Sequence, residues 1–228
     1  RSTATSLVGR FVQYAKPETP TRALRAHHVD SFLRELERGG NAESSLRMTA
    51  SILRAFFRHA GAPSREIARI RRFRSKAKQK SYLRLDEIPQ VLTACANVEE
   101  AAVLRTLLSS GVRAAELCAI RSGDIEPAGP WLHVVAGKGN KDRRTRISTA
   151  AIEAIGRYHG TLKSGSSKRV FPLTPKQLRV IVARVCGRVK LTDARIGLTP
   201  HALRRSFGVA LIKRDVSIYV IKGYYGHS

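Results

Sequence analysis

Trp131-Leu132-His133-Val134-Val135, then Gly137-Lys138-Gly139-Asn140-Lys141-Asp142, then Arg143-Arg144-Thr145-Arg146-Ile147: this stretch decides the fold. The first segment is a short apolar run of strand type. The last alternates basic residues with Thr145 and Ile147, the period of two that a half-buried strand requires. A glycine-rich turn joins them, so the reading is a β-hairpin. Elsewhere the apolar spacing is helical. The chain is therefore expected to be mainly α with one small β-hairpin, an α+β arrangement.

Upstream of the hairpin, Leu85-Asp86-Glu87-Ile88-Pro89 opens a helix with acidic residues and proline in its first turn. A helix over 98–110 stops at Gly111, and another begins near Arg113 with Glu116, Leu117 and Ile120. Downstream, helices are expected over 150–158, 175–189, 200–213 and 216–225. The first 70 or so residues read as a separate all-helical module. Leu7, Phe11 and Tyr14 recur at helical spacing, and Val29, Phe32, Leu33 and Leu36 share one face ahead of Gly39-Gly40. Asn41 is read as the cap of a third helix carrying Leu46, Leu53, Phe56 and Phe57. The expected organisation is a helical domain over 1–72, a basic linker over 73–82 and a second domain over 83–228.

The linker stretch Arg71-Arg72-Phe73-Arg74-Ser75-Lys76-Ala77-Lys78-Gln79-Lys80 holds one aromatic among six positive charges, so it cannot pack in a core. The whole chain carries 42 Lys+Arg against 17 Asp+Glu, a net charge of +25. The excess runs through both parts, with 18 against 6 in residues 1–80 and 24 against 11 beyond. Such a balance points to a polyanionic partner, nucleic acid before an anionic membrane surface. A merely solubilising surface is the bland alternative. At 43% hydrophobic residues the chain has ample material for a core. Cys95, Cys118 and Cys186 are far apart and form no C-x-x-C pair, which argues against zinc and against a disulfide framework and fits a reducing cytoplasm. All three sit among apolar neighbours and are read as buried. No apolar run is long enough for a membrane span.

Five cationic residues stand in short motifs that each make local sense: Arg113, Lys138, His201, Arg204 and His227. Lys138 sits between two glycines at the hairpin tip, where backbone can approach a ligand closely. The order is not that of a Walker A loop. Pro200 suits a first helical turn, so His201 and Arg204, three apart, share a face near a helix N-terminus. Taken one at a time, a Gly-Lys-Gly-Asn turn, a His-x-x-Arg pair, an arginine with Glu116 one turn later and a histidine after Gly226 are all ordinary.

Their order is not ordinary. Gly-Val-Arg-Ala-Ala-Glu-Leu (111–117), the 137–143 hairpin, Pro-His-Ala-Leu-Arg-Arg-Ser-Phe (200–207) and Tyr-Gly-His-Ser (225–228) resemble the tyrosine recombinase, or integrase, family in its Xer-, integron- and transposon-type branches. The resemblance covers 83–228, and the helical module before it looks like that family's core-binding domain. It implies a C-shaped clamp on double-stranded DNA and, on paired sites, a homotetramer. Arg113 and Arg204 match the two arginines that hold the scissile phosphate. Lys138 matches the lysine that protonates the leaving 5′ oxygen, and its neighbours Lys141 and Arg143 are expected to lower its pKa. His201 matches the first residue of the His-x-x-Arg box, His227 the later supporting position, and Glu116 an acidic residue that props the site. DNA contacts are expected from Arg71, Arg72, Arg74, Lys76, Lys78 and Lys80 in the linker, from Lys141, Arg143 and Arg144 on the hairpin, and from Arg205.

The resemblance implies no metal and no cofactor, because fixed cations neutralise the charge that grows on the phosphate. It implies a bacterial, nucleoid setting and no membrane. The family's nucleophilic tyrosine falls two to three helical turns after His227, beyond Ser228. Tyr219, Tyr224 and Tyr225 precede that place and are read as packing residues, so the chain as given is expected to hold the clamp without the attacking group. A non-catalytic DNA-binding regulator on the same fold and a type IB topoisomerase stand as alternatives.

Overall fold

The computed structural model describes residues 3–16, 18, 20, 23–73, 81–126, 129–135, 142–161, 169–189 and 198–226. The chain divides into two compact units, 1–78 and 79–228.

The first unit consists, among the described residues, of four helices: α1 (Thr3–Tyr14), α2 (Ala26–Arg38), α3 (Glu43–His59) and α4 (Ser64–Arg69). Their apolar stripes meet in one core around Phe11, Val29, Leu33, Leu53 and Phe57. Phe11 is the hub, with edge or tilted contacts to Phe32, Phe56 and Phe57 at ring centroids of 5.7, 6.5 and 6.1 Å. Asn41 does not cap α3, whose cap residue is Ala42 with no side-chain bond. Its Nδ2 donates instead to the Leu36 carbonyl at 2.9 Å, closing the end of α2. An Asn between two helices can serve either end, and here the orphan carbonyl won. The Glu66 carboxylate accepts from the Ala26 N–H at 3.0 Å and so ties α4 to the start of α2.

The second unit is built on α6 (Val98–Ser110). Around it lie α5 (Glu87–Thr93), α8 (Thr149–His159), α9 (Pro175–Gly187) and α10 (Pro200–Ile212), with α7 (Ala114–Leu117) and α11 (Ile218–Tyr225) completing the helices. Strands β1 (Trp131–Val134) and β2 (Arg143–Arg146) form the expected hairpin, antiparallel, with Leu132 opposite Thr145 and Val134 opposite Arg143. The core of this unit runs through Leu104, Leu107, Leu117, Phe171, Val182 and Leu203. The α6 helix is buried on several sides, with Glu100, Thr106 and Ser110 buried beside Ala102, Val103, Leu104 and Leu107. Asn97, Ser148, Thr174 and Thr199 cap α6, α8, α9 and α10, their side chains accepting from the backbone of the first turn. Cys118 and Cys186 are buried as expected, while Cys95 is only half-buried.

The end of α6 fixes the geometry of everything that follows. Gly111 caps it with φ +62, a left-handed conformation, and its N–H bonds the Leu107 carbonyl at 3.1 Å. A Cβ at this position would lie 2.3 Å from Phe207 Cδ1. Gly111→Ala therefore combines the left-handed penalty with overpacking, and should lower the urea-unfolding free energy by about 2–4 kcal/mol. Unchanged stability would mean that Phe207 moves aside freely.

Candidate functional site

The chain turns sharply at Gly111 and re-enters a short helix at Arg113. Arg113 has extended backbone, φ −74 and ψ 157, and precedes α7 as its cap residue. Glu116, three residues on, accepts the Arg113 N–H at 2.6 Å and the Arg113 Nη1 at 2.6 Å. Spacing alone puts this pair together.

Tertiary packing then brings two more guanidinium groups to the same carboxylate. Arg143 on β2 grips it two-pronged, Nη1 to Oε1 at 2.9 Å and Nη2 to Oε2 at 2.7 Å. Arg204 on α10 holds Nη1 at 3.7 Å from Glu116 Oε2. The Arg143 and Arg204 side chains are 5% and 3% exposed and Glu116 is 10%, whereas Arg113 is 40% exposed. Three cations thus face one anion, with a surplus of positive charge that opens to solvent at Arg113. Burial would push the Glu116 carboxyl up. The bonds from Arg143 and from the backbone and side chain of Arg113 outweigh it and bring it to about 2. Burial, then the neighbouring Arg113, lowers Arg204 to about 10, which leaves it charged near neutral pH.

Arg204 is fixed on further sides. Its Nη1 donates to the Gly111 carbonyl at 2.5 Å and its Nη2 to the Tyr225 carbonyl at 2.9 Å. The first bond satisfies an end carbonyl of α6, and Thr145 Oγ1 satisfies its neighbour, the Ser110 carbonyl, at 2.9 Å. The hairpin, α6, α7, α10 and α11 therefore converge on one cluster.

Of the sequence-predicted residues, the structure brings together Arg113, Glu116 and Arg204. His201 lies exposed one turn before the buried Arg204 on α10. Lys138, Lys141 and His227, together with Arg74, Lys76, Lys78 and Lys80, lie outside the described residues. The residues expected to line a DNA backbone divide. Arg72 is exposed. Arg71 pairs with Glu37 at 2.9 Å and sits over Phe73. Arg205 Nε donates to the Ser81 carbonyl at 2.8 Å. Arg144, half-exposed, pairs with Glu126 at 2.6 Å and stacks on Trp131.

Arg143, expected among the DNA contacts, lies inside the cluster. It points inward, bonds Glu116 and also donates from Nε to the Tyr224 carbonyl at 2.8 Å, so it is an internal strut. The signal was present in the sequence: Arg143, Thr145 and Ile147 fall on one face of a period-two strand, and Thr145 and Ile147 are buried. Tyr224 and Tyr225 do pack, against Phe207, at ring centroids of 6.3 and 6.2 Å. Tyr219 is 80% exposed and does not.

A largely buried cluster with more guanidinium than carboxylate has the chemistry to hold an oxyanion, and it belongs to a chain of two compact units with one β-hairpin. Residues 81–228 match the phage integrase family, and residues 5–62 match the phage integrase N-terminal SAM-like domain. The chain belongs to the phage integrase family, that is, to the tyrosine recombinases. Among its curated relatives is the tyrosine recombinase XerA of Pyrococcus horikoshii, 29% identical over 205 residues, covering 86% of this chain and 70% of that protein. Solved structures share the fold. The Tn1549 transposon integrase in complex with transposon right end DNA is similar with a TM-score of 0.76 at 13% identity, over 100% of this chain and 86% of that one. A lambda integrase tetramer bound to a Holliday junction is similar with a TM-score of 0.72 at 18% identity, over 99% and 70%. Among the described residues no helix is long and apolar enough to cross a membrane.

Proposed function

We propose that this chain cuts and rejoins DNA strands at specific sites by transesterification. A tyrosine phenol oxygen attacks the scissile phosphorus. A 3′-phosphotyrosine bond forms, the bond from phosphorus to the 5′ oxygen breaks, and that oxygen takes up a proton. A second strand's 5′-hydroxyl reverses the step, with no outside energy source, because the covalent bond stores the phosphodiester energy.

One observation carries the reading: Arg113 and Arg204 converge on a single carboxylate in a cluster with surplus positive charge. In the proposal these two arginines clamp the non-bridging oxygens. Arginine suits the task because its planar fork meets phosphate two-pronged and stays protonated. Glu116 props Arg113 and Arg204 rather than touching substrate. Lys138 protonates the leaving oxygen, and His201 and His227 support the phosphate. The attacking tyrosine is taken to follow the His227 position, beyond Ser228. Residues 1–72 and 83–228 each bind duplex DNA. Assembly on paired sites is tetrameric, as in the lambda integrase tetramer bound to a Holliday junction.

The test is denaturant trapping of a covalent adduct between the full-length natural protein and duplex DNA selected for binding to it. A phosphotyrosine adduct should form undiminished in EDTA, because fixed guanidinium groups do the work of a metal ion. An adduct that needs a divalent ion would overturn the chemistry. Tight binding with no adduct would make the protein a regulator on this fold.

A further inference from the structure

Tyr225 holds Arg204 from three directions. Its ring lies under the guanidinium, with Arg204 Cζ 4.2 Å from the ring centroid. Its carbonyl accepts from Arg204 Nη2 at 2.9 Å. Its phenol hydroxyl donates back to the Arg204 backbone carbonyl. Phe207 stacks on the Tyr225 ring, with ring centroids 6.2 Å apart and planes at 21°. The space for this grip is made by a neighbour on α10. Gly208, one turn after Arg204, has no side chain, and a Cβ there would lie 2.5 Å from the Tyr225 hydroxyl.

The consequence for Arg204 is specific. A guanidinium has five donor hydrogens in a rigid plane. The Gly111 and Tyr225 carbonyls take one from Nη1 and one from Nη2, which fixes the rotation of the plane. The aromatic face beneath fixes its tilt, and a cation so placed is worth more when it is desolvated, as the 3% exposed Arg204 is. An oxyanion clamp works only if its donors are already aimed. The phenol oxygen also accepts from the Gly208 backbone. It anchors the ring to α10 itself, so the ring and the arginine move as one body.

We infer that Tyr225 is a positioning residue for Arg204, seated by the absence of a side chain at Gly208. This rests on the reading of Arg204 as a phosphate clamp. Tyr225 is thus neither the nucleophile nor simple packing. It aims the donor that meets the phosphate.

The experiment follows the arginine Nε–Hε resonances of the 228-residue chain by NMR during titration with inorganic phosphate. In the wild type the Arg204 signal should be displaced by the Tyr225 ring current and should move on adding phosphate. Tyr225→Phe keeps the ring and the backbone carbonyl at that position but loses the anchor to α10, so it should keep the displacement and weaken phosphate binding less than Tyr225→Leu does. Tyr225→Leu should lose the displacement and weaken phosphate binding at Arg204 by roughly tenfold. Gly208→Ala should do the same by expelling the hydroxyl, and Gly208→Ala/Tyr225→Phe should restore the signal because the clashing oxygen is gone. A purely structural tyrosine predicts lowered melting temperatures in these variants with the phosphate affinity unchanged, and that result overturns the proposal. So does a wild type whose Arg204 ignores phosphate. If phosphate titrates Arg204 as expected but the full-length protein forms no covalent DNA adduct, the recombinase chemistry fails while the positioning stands.

Discussion

Glu116→Ala is expected to destabilise the 79–228 unit by about 3–5 kcal/mol, because it strands buried guanidinium groups without their counter-charge. Arg143 and Arg204 are 5% and 3% exposed and both face Glu116, so neither can recover its hydration when the carboxylate goes. Burial would raise the Glu116 carboxyl, but the bonds from Arg143 and Arg113 hold it at about 2, below its ordinary 4.5. A depressed carboxylate contributes stability in full above its unfolded value and loses it as pH falls toward its folded value. The wild type should therefore lose about 3 kcal/mol from this group alone between about pH 5 and pH 2. Glu116→Gln preserves the shape and the acceptor for the Arg113 N–H while deleting the charge. Urea unfolding across that pH range gives the comparison. The wild type should fall more steeply than Glu116→Gln, and the two curves should converge near pH 2. Parallel curves would show that the carboxylate is not charged in the folded protein.

Arg204→Ala should lower covalent adduct formation by roughly 10²–10³-fold, the loss typical of one preorganised donor at a developing oxyanion. Arg113→Ala should lie in the same range. The double variant should fall short of the product, since the two side chains share Glu116 and are not independent. Duplex binding should hardly change, with the salt slope flattened by about one phosphate. Arg204→Lys keeps the charge but should rescue little. An ammonium cannot donate to the Gly111 and Tyr225 carbonyls and lie flat on the Tyr225 ring at once. A protein that only binds DNA would lose about one phosphate contact in each variant and nothing else, so these substitutions separate the two readings.

Much of the architecture was legible beforehand because it rests on local rules. The change of period at Trp131 predicted the hairpin, and β1 and β2 lie there in the register Trp131–Arg146 to Val134–Arg143. Pro200 stands in the first turn of α10, as its place in the sequence predicted. The expected helices over 175–189 and 200–213 are each a residue or two long at the end, where the last turn leaves the helical hydrogen-bond pattern. Asn41 went the other way because one amide can serve either of two helix ends, and no local rule ranks them. The Arg113–Glu116 pair was legible for the same local reason, a spacing of three.

The two units, the hairpin, the basic excess and the order of motifs that marks the family can all be read from the residues in a row. All of these depend on spacing and composition, which a chain carries whatever its packing. Which partner each cation meets depends instead on packing. Arg143 meets a carboxylate 27 residues away, and Arg204 meets a carbonyl 93 residues away and a tyrosine 21 residues on. An arginine on a strand reads the same whether it faces a polyanion or a buried glutamate. Its charge is a property of the residue, but its partner is a property of which surfaces come together and exclude water.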